Sequence, residues 1–494
     1  MRDPPPLQAA RSPKIPLRRD KKKCKPAFVT KNLKLLFSLV VLVEALLIAF
    51  ALVQRYPTSG DDYSYLYQAQ LFASGKMYAE SSFYDEANPL HDCVRTNCIS
   101  DNHGRRFSKY PPGGPAFLAL GALLGVPWLI NPILGALLAF LILQYVEQQM
   151  GKELVRVAGV LLTLCLFFSY YAASLRPHIA TALFVFSAFV AYDAAQRRLG
   201  PSRLLLFSAG ALLGYSSLIR YLDWVPLAAW IGVSLLCRKR FSEIILFGVG
   251  FGLLASGNLL YDTLLSGDPL QTPTALNHSP GMHDRLMVSW ISILRTVSRL
   301  ANLLWVFPPF LLLVAFWKRY QAPLKVRMYL ALFLMNLGLY FFYPASGGGP
   351  GPRYLLGYFP FLLLAVVDLY RWLGRDAAAG SRCLWNYALA LQIIGSVSFL
   401  AVQGYSSYCQ RDLERTATQA GDGKKIFFLK SGTYPDIDNV CDFTRNPPEM
   451  SSARTLYFNW CGQPERDALL RQFPDREVFV YEYPAHLSRV AANQ

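Results

Sequence analysis

Long apolar runs, separated by short polar segments, recur along most of the chain. A helix needs about 20 apolar residues to cross the hydrocarbon core of a bilayer. The runs that approach or reach this length predict membrane-spanning helices at Leu33–Val53, Pro127–Val146, Leu154–Ala172, Ile179–Ala195, Leu204–Ile219, Trp224–Cys237, Ile244–Leu260, Leu300–Trp317, Met328–Tyr343, Leu355–Trp372 and Leu384–Val402.

A further apolar stretch, Pro115–Gly125, is too short to cross comfortably. We interpret it as a re-entrant or interfacial helix, with a tilted full span as the alternative. The pattern therefore predicts an all-α polytopic membrane protein with about 11–13 transmembrane helices.

The pattern changes after Gly404, where polar residues become frequent. Short β-type runs alternate there with one helical segment, Glu465–Phe473, which indicates a small soluble α/β domain. The predicted strands are Ile426–Leu429, Thr455–Asn459 and Val478–Tyr481. We expect three regions: a basic tail at 1–31, a transmembrane domain at 32–403, and a terminal domain at 404–494 that recognises an acceptor, forms a lid or is a structural cap.

Composition supports the membrane interpretation. The chain is 53% hydrophobic and 16% charged, whereas an average soluble domain is about 25% charged. The net charge of +17 comes from the tail and from short clusters between apolar runs. Such clusters are typical of cytoplasmic membrane loops, so we predict no nucleic-acid partner. The basic run Arg18–Lys23 is interpreted as a topology anchor, with attraction to anionic membrane lipids as the alternative.

The basic clusters also predict sidedness. Positive loops face the cytoplasm, and the clusters lie near Lys152–Arg156, Arg197–Arg203, Arg238–Arg240, Lys318–Arg327 and Arg371–Arg382. They share one side if the N-terminus is cytoplasmic and Pro115–Gly125 does not cross. We therefore expect a multi-pass protein of the plasma (inner) membrane, with the loop 54–115 and the terminal domain outside the cytoplasm.

Cysteine placement agrees with that orientation, since disulfides persist in oxidising compartments. Cys93 and Cys98 lie close together in the first outer loop, and Cys441 and Cys461 lie in the terminal domain. We predict the bridges Cys93–Cys98 and Cys441–Cys461, with buried thiols as the alternative.

Two adjacent carboxylates, Asp61 and Asp62, open a stretch of helical periodicity directly after the first span. The helix dipole stabilises negative charge at such a position. Asp61 could act there as a general base or bind a divalent cation. The alternative is plain N-capping by the acidic pair.

Three further motifs follow in order: Tyr110–Pro115, Leu218–Tyr221 at the end of a span, and the glycine-rich Gly347–Leu356 before the penultimate span. Together with the acidic pair, this order resembles the GT-C superfamily of membrane glycosyltransferases. The resemblance is to the dolichyl-phosphate-mannose–protein mannosyltransferase and aminoarabinose transferase group, over about Leu33 to Val402.

The resemblance implies transfer of a sugar from a polyprenyl-phosphate donor to an extracytoplasmic lipid, glycan or protein acceptor, with inversion. It implies that Asp61 and Asp62 are catalytic, with Asp61 as the base, although many members carry Glu at the second position. Arg353 matches an arginine that would hold the donor phosphate. The supporting substrate-binding candidates are Tyr110, Arg176, Arg220, His278, His283, Arg285 and Tyr354. The resemblance to the family would place a second acid soon after Arg176, and this chain lacks it.

No cofactor is required by this interpretation; the alternative is a divalent cation, Mg²⁺ or Mn²⁺, held by Asp61 and His278. Glu44, inside the first span, is an intramembrane acid that we expect to pair with Asn302 or Asn336 or to be protonated. The alternative functions are a lipid or sugar transporter or flippase, and a non-catalytic protein of envelope assembly.

Overall fold

The structure is a computed structural model that describes residues 32–96, 98–197, 202–277, 290–308, 320–343, 352–375, 379–406, 408–430, 445–482 and 486–489. Its helices are α1 Leu33–Leu47, α2 Gly60–Ala73, α3 His91–Val94, α4 Gly113–Leu123, α5 Ile130–Met150, α6 Lys152–Thr163, α7 Leu166–Ala173, α8 His178–Arg197, α9 Arg203–Ile219, α10 Val225–Cys237, α11 Phe241–Ser266, α12 Pro273–Asn277, α13 Trp290–Val306, α14 Leu324–Phe341, α15 Phe359–Arg375, α16 Ala379–Ser406, α17 Tyr408–Gln419 and α18 Gln463–Gln472.

The strands are β1 Ala79–Glu80, β2 Ile99–Asn102, β3 Arg105–Ser108, β4 Lys425–Lys430, β5 Thr455–Asn459, β6 Glu477–Glu482 and β7 His486–Arg489. A π-helical turn, Ile48–Leu52, continues α1, and 3₁₀ turns occupy Ser82–Tyr84, Pro127–Leu129 and Arg353–Tyr358.

The membrane part is helical, as predicted. Among the described residues, seven helical segments are long and apolar enough to span a bilayer: Leu33–Leu52, Pro127–Met150, His178–Arg197, Phe241–Ser266, Leu324–Phe341, Arg353–Leu373 and Cys383–Tyr405. The predicted span Leu154–Ala172 is instead a pair of helices, α6 and α7, that meet at 64°. Helices α4, α9 and α10 are apolar but shorter. Within the described ranges, length and composition thus give seven spans, or eight if the bent pair is one span, and part of the predicted span Leu300–Trp317 lies outside them.

Small residues let α9 and α11 pack closely, as is common between membrane helices. A Cβ atom added at Gly210 would lie 2.1 Å from the Phe247 carbonyl oxygen, and one at Gly214 would lie 2.3 Å from that of Phe251. Gly250 meets the Phe207 carbonyl in the same way from the opposite helix. This contact fixes the end of α9, where Arg220 follows.

The segment Arg353–Leu373 is the most buried of the candidate spans, with 83% of its apolar stretch buried inside the protein. Other helices of the bundle therefore surround it. Arg353 lies at its beginning.

Outside the bundle, the first loop forms an antiparallel sheet of order β1-β3-β2. The terminal unit forms a sheet of order β5-β4-β6-β7, in which β4 pairs in parallel with β5 and β6. Helix α18 connects β5 to β6, which run parallel on opposite sides of β4, because parallel strands require a crossover connection. The predicted small α/β unit is confirmed.

The loop and the terminal unit share one hydrophobic core. Tyr63, Tyr67 and Leu71 of α2 belong to the same buried cluster as Ile426 and Phe428 of β4. The terminal sheet thus shares its core with the helix whose first turn holds the acidic pair.

A disulfide joins the two units, and it is not one of the predicted bridges. Cys93 of α3 bonds to Cys461 after β5, with their Cα atoms 5.3 Å apart. The predictions Cys93–Cys98 and Cys441–Cys461 were wrong, because Cys93 faces the terminal sheet while Cys98 is buried beside Asp61. Cys441 itself lies outside the described residues.

Candidate active site

The first turn of α2 is built around Asp62. Ser59 is the N-cap, and its side chain accepts a hydrogen bond from the Asp62 backbone N–H. The Asp62 carboxylate in turn accepts from the Thr58 hydroxyl at 2.6 Å and the Ser59 hydroxyl at 3.0 Å. This reciprocal capping is the local reason that the helix begins here.

Arg176 fastens the same turn to the bundle. It lies in the connection between α7 and α8, its Nε is 3.6 Å from Asp62 Oδ2, and it donates to the Ser59 hydroxyl at 2.9 Å. The Asp62 side chain is 1% exposed. Asp62 and Arg176 therefore hold the turn rather than face an open space, which makes both suited to positioning Asp61.

Asp61 points the other way and meets Arg353, as the resemblance implies. Arg353 donates to Asp61 Oδ2 at 3.0 Å, and the Tyr110 hydroxyl donates to Oδ1. The Asp61 side chain is 21% exposed and that of Arg353 12%. Residues 292 positions apart thus form one ion pair with access to solvent.

The neighbours of Asp61 keep it ionised. Burial acts to raise its pKa, but the positive charges of Arg353, Lys109 and Arg176 and the hydrogen bond from Tyr110 outweigh burial, so that the pKa lies well below its usual range. Burial, together with the charge of Asp61, holds the pKa of Tyr110 well above its usual range. Tyr110 is therefore a neutral hydrogen-bond donor to a carboxylate at neutral pH.

Next to this ion pair, three arginines surround the ring of Tyr354. The guanidinium carbons of Arg220, Arg353 and Arg299 lie 5.2, 5.3 and 5.4 Å from its centroid. We call Arg220, Arg299 and Arg353 the arginine cluster. Cation–π contact with one tyrosine helps to hold three like charges together.

Further contacts orient the cluster. Arg220 pairs with Asp223 at 2.7 Å and donates to the Tyr340 hydroxyl at 2.9 Å. The Tyr340 ring stacks on Tyr354 at 4.8 Å between centroids. Arg220 thus lies in a second ion pair beside the Asp61–Arg353 pair and does not contact Asp61 in the described interactions.

Positive charge exceeds negative charge in this region. The described cations are Lys109, Arg176 and the arginine cluster, and the described carboxylates are those of Asp61, Asp62 and Asp223. A surplus of buried guanidinium suits an anionic ligand, for which arginine offers bidentate hydrogen bonds.

Four of these residues were not predicted from the sequence: Lys109, His178, Asp223 and Arg299. His178 is 6% exposed, and within the described part of the chain neither of its ring nitrogens has a hydrogen-bond partner. Arg299 was detectable in principle, because a charged residue within an apolar helix is unusual. The positions of the other three follow only from the assembled bundle.

Glu44 also differs from expectation. It accepts a hydrogen bond from the Ser169 hydroxyl at 2.7 Å, whereas Asn336 donates to the Tyr354 carbonyl. The polar neighbour of Glu44 is thus Ser169 rather than Asn302 or Asn336, because the bend between α6 and α7 brings Ser169 against α1.

Some predicted residues lie outside the described residues, namely His278, His283 and Arg285. Within the described ranges, no group of three or more His, Cys, Asp or Glu residues could bind a metal ion. Arg353 and Lys109 also surround Asp61 with positive charge, which does not fit a divalent cation at that carboxylate.

Solved structures resemble this fold along nearly its whole length. A crystal structure of ArnT from Cupriavidus metallidurans bound to undecaprenyl phosphate matches with a TM-score of 0.56 at 14% identity, covering 91% of this chain and 93% of that chain. The apo structure of the same protein matches with a TM-score of 0.55 at 13% identity, covering 92% and 94%.

The chain therefore has an ArnT-like fold, which confirms the fold implied by the resemblance. No protein-family model matches the sequence. No curated protein matches it either.

Proposed function

We propose that this protein is a membrane glycosyltransferase that moves a sugar from a polyprenyl phosphate to an acceptor on the non-cytoplasmic side of the plasma (inner) membrane. The observation that carries the proposal is the Asp61–Arg353 ion pair at 3.0 Å. It joins a carboxylate able to accept a proton to a guanidinium able to bind a phosphate. The similar fold of a protein crystallised with undecaprenyl phosphate supports the donor class.

In the proposed reaction, an acceptor oxygen attacks the anomeric carbon and the bond from that carbon to the phosphate oxygen breaks. The acceptor proton passes to Asp61, and the leaving group departs as polyprenyl phosphate. Attack opposite the leaving group inverts the anomeric centre. Arg353, supported by Arg220, stabilises the charge that develops on the phosphate.

In this proposal, the Asp61–Arg353 ion pair makes donor binding precede proton transfer. Arg353 holds the pKa of Asp61 low, and a strongly paired carboxylate is a poor base. When the donor phosphate takes over the Arg353 guanidinium, Asp61 loses its nearest cation and its proton affinity rises. Donor binding thus activates the base.

The remaining predicted residues have supporting roles in this proposal. Asp62 and Arg176 position the first turn of α2, and Tyr110 orients Asp61. The ring of Tyr354 contacts the three guanidinium groups of the arginine cluster and holds them together. His278, His283 and Arg285 stay candidate phosphate contacts. The acceptor is a lipid, glycan or protein, no divalent cation takes part in a step, and we propose the N-terminus as cytoplasmic and the terminal unit as extracytoplasmic.

Replacement of the base tests the proposal. Asp61→Asn should lower transfer by about 10²–10⁴-fold, since general base catalysis contributes that much. The measurement is transfer of radiolabelled sugar from a set of polyprenyl-phosphate sugars, by purified protein in lipid vesicles, to an envelope extract. Asp92→Asn, which changes an exposed acid of the same loop, should retain wild-type transfer. Wild-type rates in Asp61→Asn would overturn the assignment.

A further inference from the structure

A large cleft lies between the first outer loop and the terminal unit, outside the Asp61 site. Its volume is about 980 Å³, at the upper end of the ~300–1,000 Å³ that small-molecule sites occupy. One wall comes from the end of α2 and from β1, and the other from residues 447–452 and the end of α18. Sites between two units of a protein are a common location for ligands.

The walls are rich in uncharged hydrogen-bonding groups. Serine hydroxyls and glutamine amides line both sides: Gln70, Ser74, Ser81, Ser451, Ser452 and Gln472. Each of these groups can both donate and accept, as the hydroxyls of a sugar also can. Ser74 and Ser452 already donate to backbone carbonyls and Ser81 accepts from a backbone N–H, so each of these serines offers its remaining hydrogen-bonding capacity. A ligand with many hydroxyls matches such a lining without bringing charge into the cleft.

The cleft also has an aromatic lining that bridges the two units. Phe83 of the loop stacks on Phe473 of the terminal unit, with ring centroids 6.3 Å apart and planes at 18°. Both residues line the cleft, together with Tyr78 and Tyr84. Phe83 and Tyr84 are buried behind the surface, whereas Tyr78 and Phe473 are half-buried. The exposed parts of these two rings suit the C–H surface of a sugar, because the face of an aromatic ring is electron-rich.

Charge and backbone geometry argue against other ligand classes. The charged lining residues are Lys76, Glu80 and Glu449, so the lining itself has one cation and two carboxylates and lacks the group of cations that binds a phosphate or another polyanion. The strand edge in the wall, β1, has two residues, which is too short to bind a peptide by strand addition. The exposed polar rim does not suit an acyl chain.

We propose that this cleft binds a neutral oligosaccharide, which is part of an extended acceptor of the sugar transfer. The inference rests on the proposed function in that last respect only. Asp61 and Gln70 lie on one helix, nine residues or about 14 Å apart along its axis and on opposite faces. An acceptor held at Gln70 must therefore extend several sugar units around the helix for its end to meet the base.

The disulfide Cys93–Cys461 joins the two walls, and Asn459 donates to the backbone carbonyl oxygens of Asp92 and Arg95. These links hold the walls at a fixed separation. Binding of a remote part of the acceptor in a preformed cleft can then raise the rate of the chemical step, as distant binding energy does in other enzymes.

The test fills the cleft without touching the core. Gln472→Trp places a large ring in the cleft from an exposed position, and Arg471→Trp, at the next exposed position outside the cleft, is the matched control. Full-length protein in nanodiscs is titrated with fluorescently labelled glucan, mannan, galactan and chitin oligosaccharides. Unchanged thermal unfolding of both variants shows that they are folded.

We expect at least one oligosaccharide to bind to the wild type and to Arg471→Trp, and about tenfold weaker binding to Gln472→Trp, equivalent to about 1.4 kcal/mol. Asp61→Asn should bind the oligosaccharide normally although it does not transfer sugar, so failure of the transferase proposal and failure of the cleft proposal are separable. Absence of binding to the wild type, or equal binding to Gln472→Trp, overturns the cleft proposal. Binding of extended polar peptides instead, lost in Gln472→Trp, overturns the glycan assignment.

Discussion

At the scale of single residues, both oxygens of the Asp61 carboxylate are engaged. Arg353 holds one oxygen and Tyr110 the other. The two contacts have different roles in the proposed reaction. In the proposed reaction Arg353 leaves Asp61 for the donor phosphate, whereas Tyr110 keeps the carboxylate in place. Loss of the Tyr110 hydroxyl therefore changes the proton affinity of Asp61 while Arg353, the proposed phosphate ligand, remains.

Removal of the Tyr110 hydroxyl should change the pH dependence of sugar transfer. In the free protein the pKa of Asp61 is depressed, so the carboxylate is charged at neutral pH and becomes protonated only in strong acid. Tyr110→Phe removes one lowering influence, and the acid limb of kcat/KM should therefore move to higher pH. The measurement is the pH profile of sugar transfer under limiting donor. An acid limb that stays in place, or that moves to lower pH, would contradict the role of Tyr110.

The depressed pKa of Asp61 also determines how its contribution to folding stability changes with pH. A carboxyl whose folded pKa is lowered stabilises the fold above its unfolded pKa of about 3.9, and the stabilisation is lost as pH falls towards the folded value. Asp61 therefore contributes stability at neutral pH. If the donor phosphate takes Arg353 from Asp61, as proposed, this contribution should become smaller.

At the scale of elements, the contact between α9 and α11 decides where Arg220 lies. Gly210, Gly214 and Gly250 bring the two backbones together. Arg220 directly follows α9, so a shift of this helix would move one member of the arginine cluster. The ion pair with Asp223 would then be strained or broken.

Two glycines on one helix allow a controlled test. In Gly250→Val the new Cβ meets the Phe207 carbonyl at 2.3 Å, whereas a Cβ at Gly252 meets nothing within 4 Å. Gly250→Val should destabilise the protein by about 1–3 kcal/mol through overpacking and reduce transfer. Gly252→Val should leave the stability and the transfer rate near wild type, because its new side chain meets no neighbour. It makes the same change in helix propensity as Gly250→Val, so it controls for that effect. Thermal unfolding in detergent and the transfer assay measure the two effects; equal behaviour of both variants would refute the close-contact explanation.

At the scale of the whole molecule, the terminal unit is part of the outer structure rather than a separate appendage. Its sheet shares a core with α2 and is bonded to the loop by Cys93–Cys461. A lid that swings freely over the site is difficult to reconcile with that core. A fixed wall beside the acceptor agrees better with it.

Loss of the disulfide should therefore loosen two units at once. Cys93→Ser should lower the free energy of unfolding of the outer structure by about 2–4 kcal/mol, seen as a lower melting temperature. Cys237→Ser, at an exposed cysteine, is the control and should have no effect. Peptide mapping of the unreduced protein should recover Cys93 joined to Cys461; recovery of Cys93 joined to Cys98 would contradict the structure.

The sequence predicted the parts that depend on local pattern and on motif order. Hydropathy located the helices, alternation located the terminal strands, and the motif order placed Asp61 with Arg353. It did not predict His178, because burial beside a distant helix leaves no local signal. The charge of Arg299 within an apolar helix is a local signal, but it does not say which site the residue joins. The predicted disulfides were wrong for a related reason. The pair Cys93–Cys98 was predicted because the two cysteines are close in sequence, but the direction of each side chain depends on the fold.

The bond between Cys93 and Cys461 spans 368 positions of sequence, and nearly all the hydrophobic helices lie within the loop it closes. During biosynthesis it can form only after the last of these helices has been inserted and both thiols have reached the same oxidising side. A chain that misses one crossing would strand Cys461 on the opposite side and remain reduced. The oxidation state of this pair is therefore a built-in record of correct insertion, which a quality-control protease or a thiol-labelling pulse could distinguish in newly made protein.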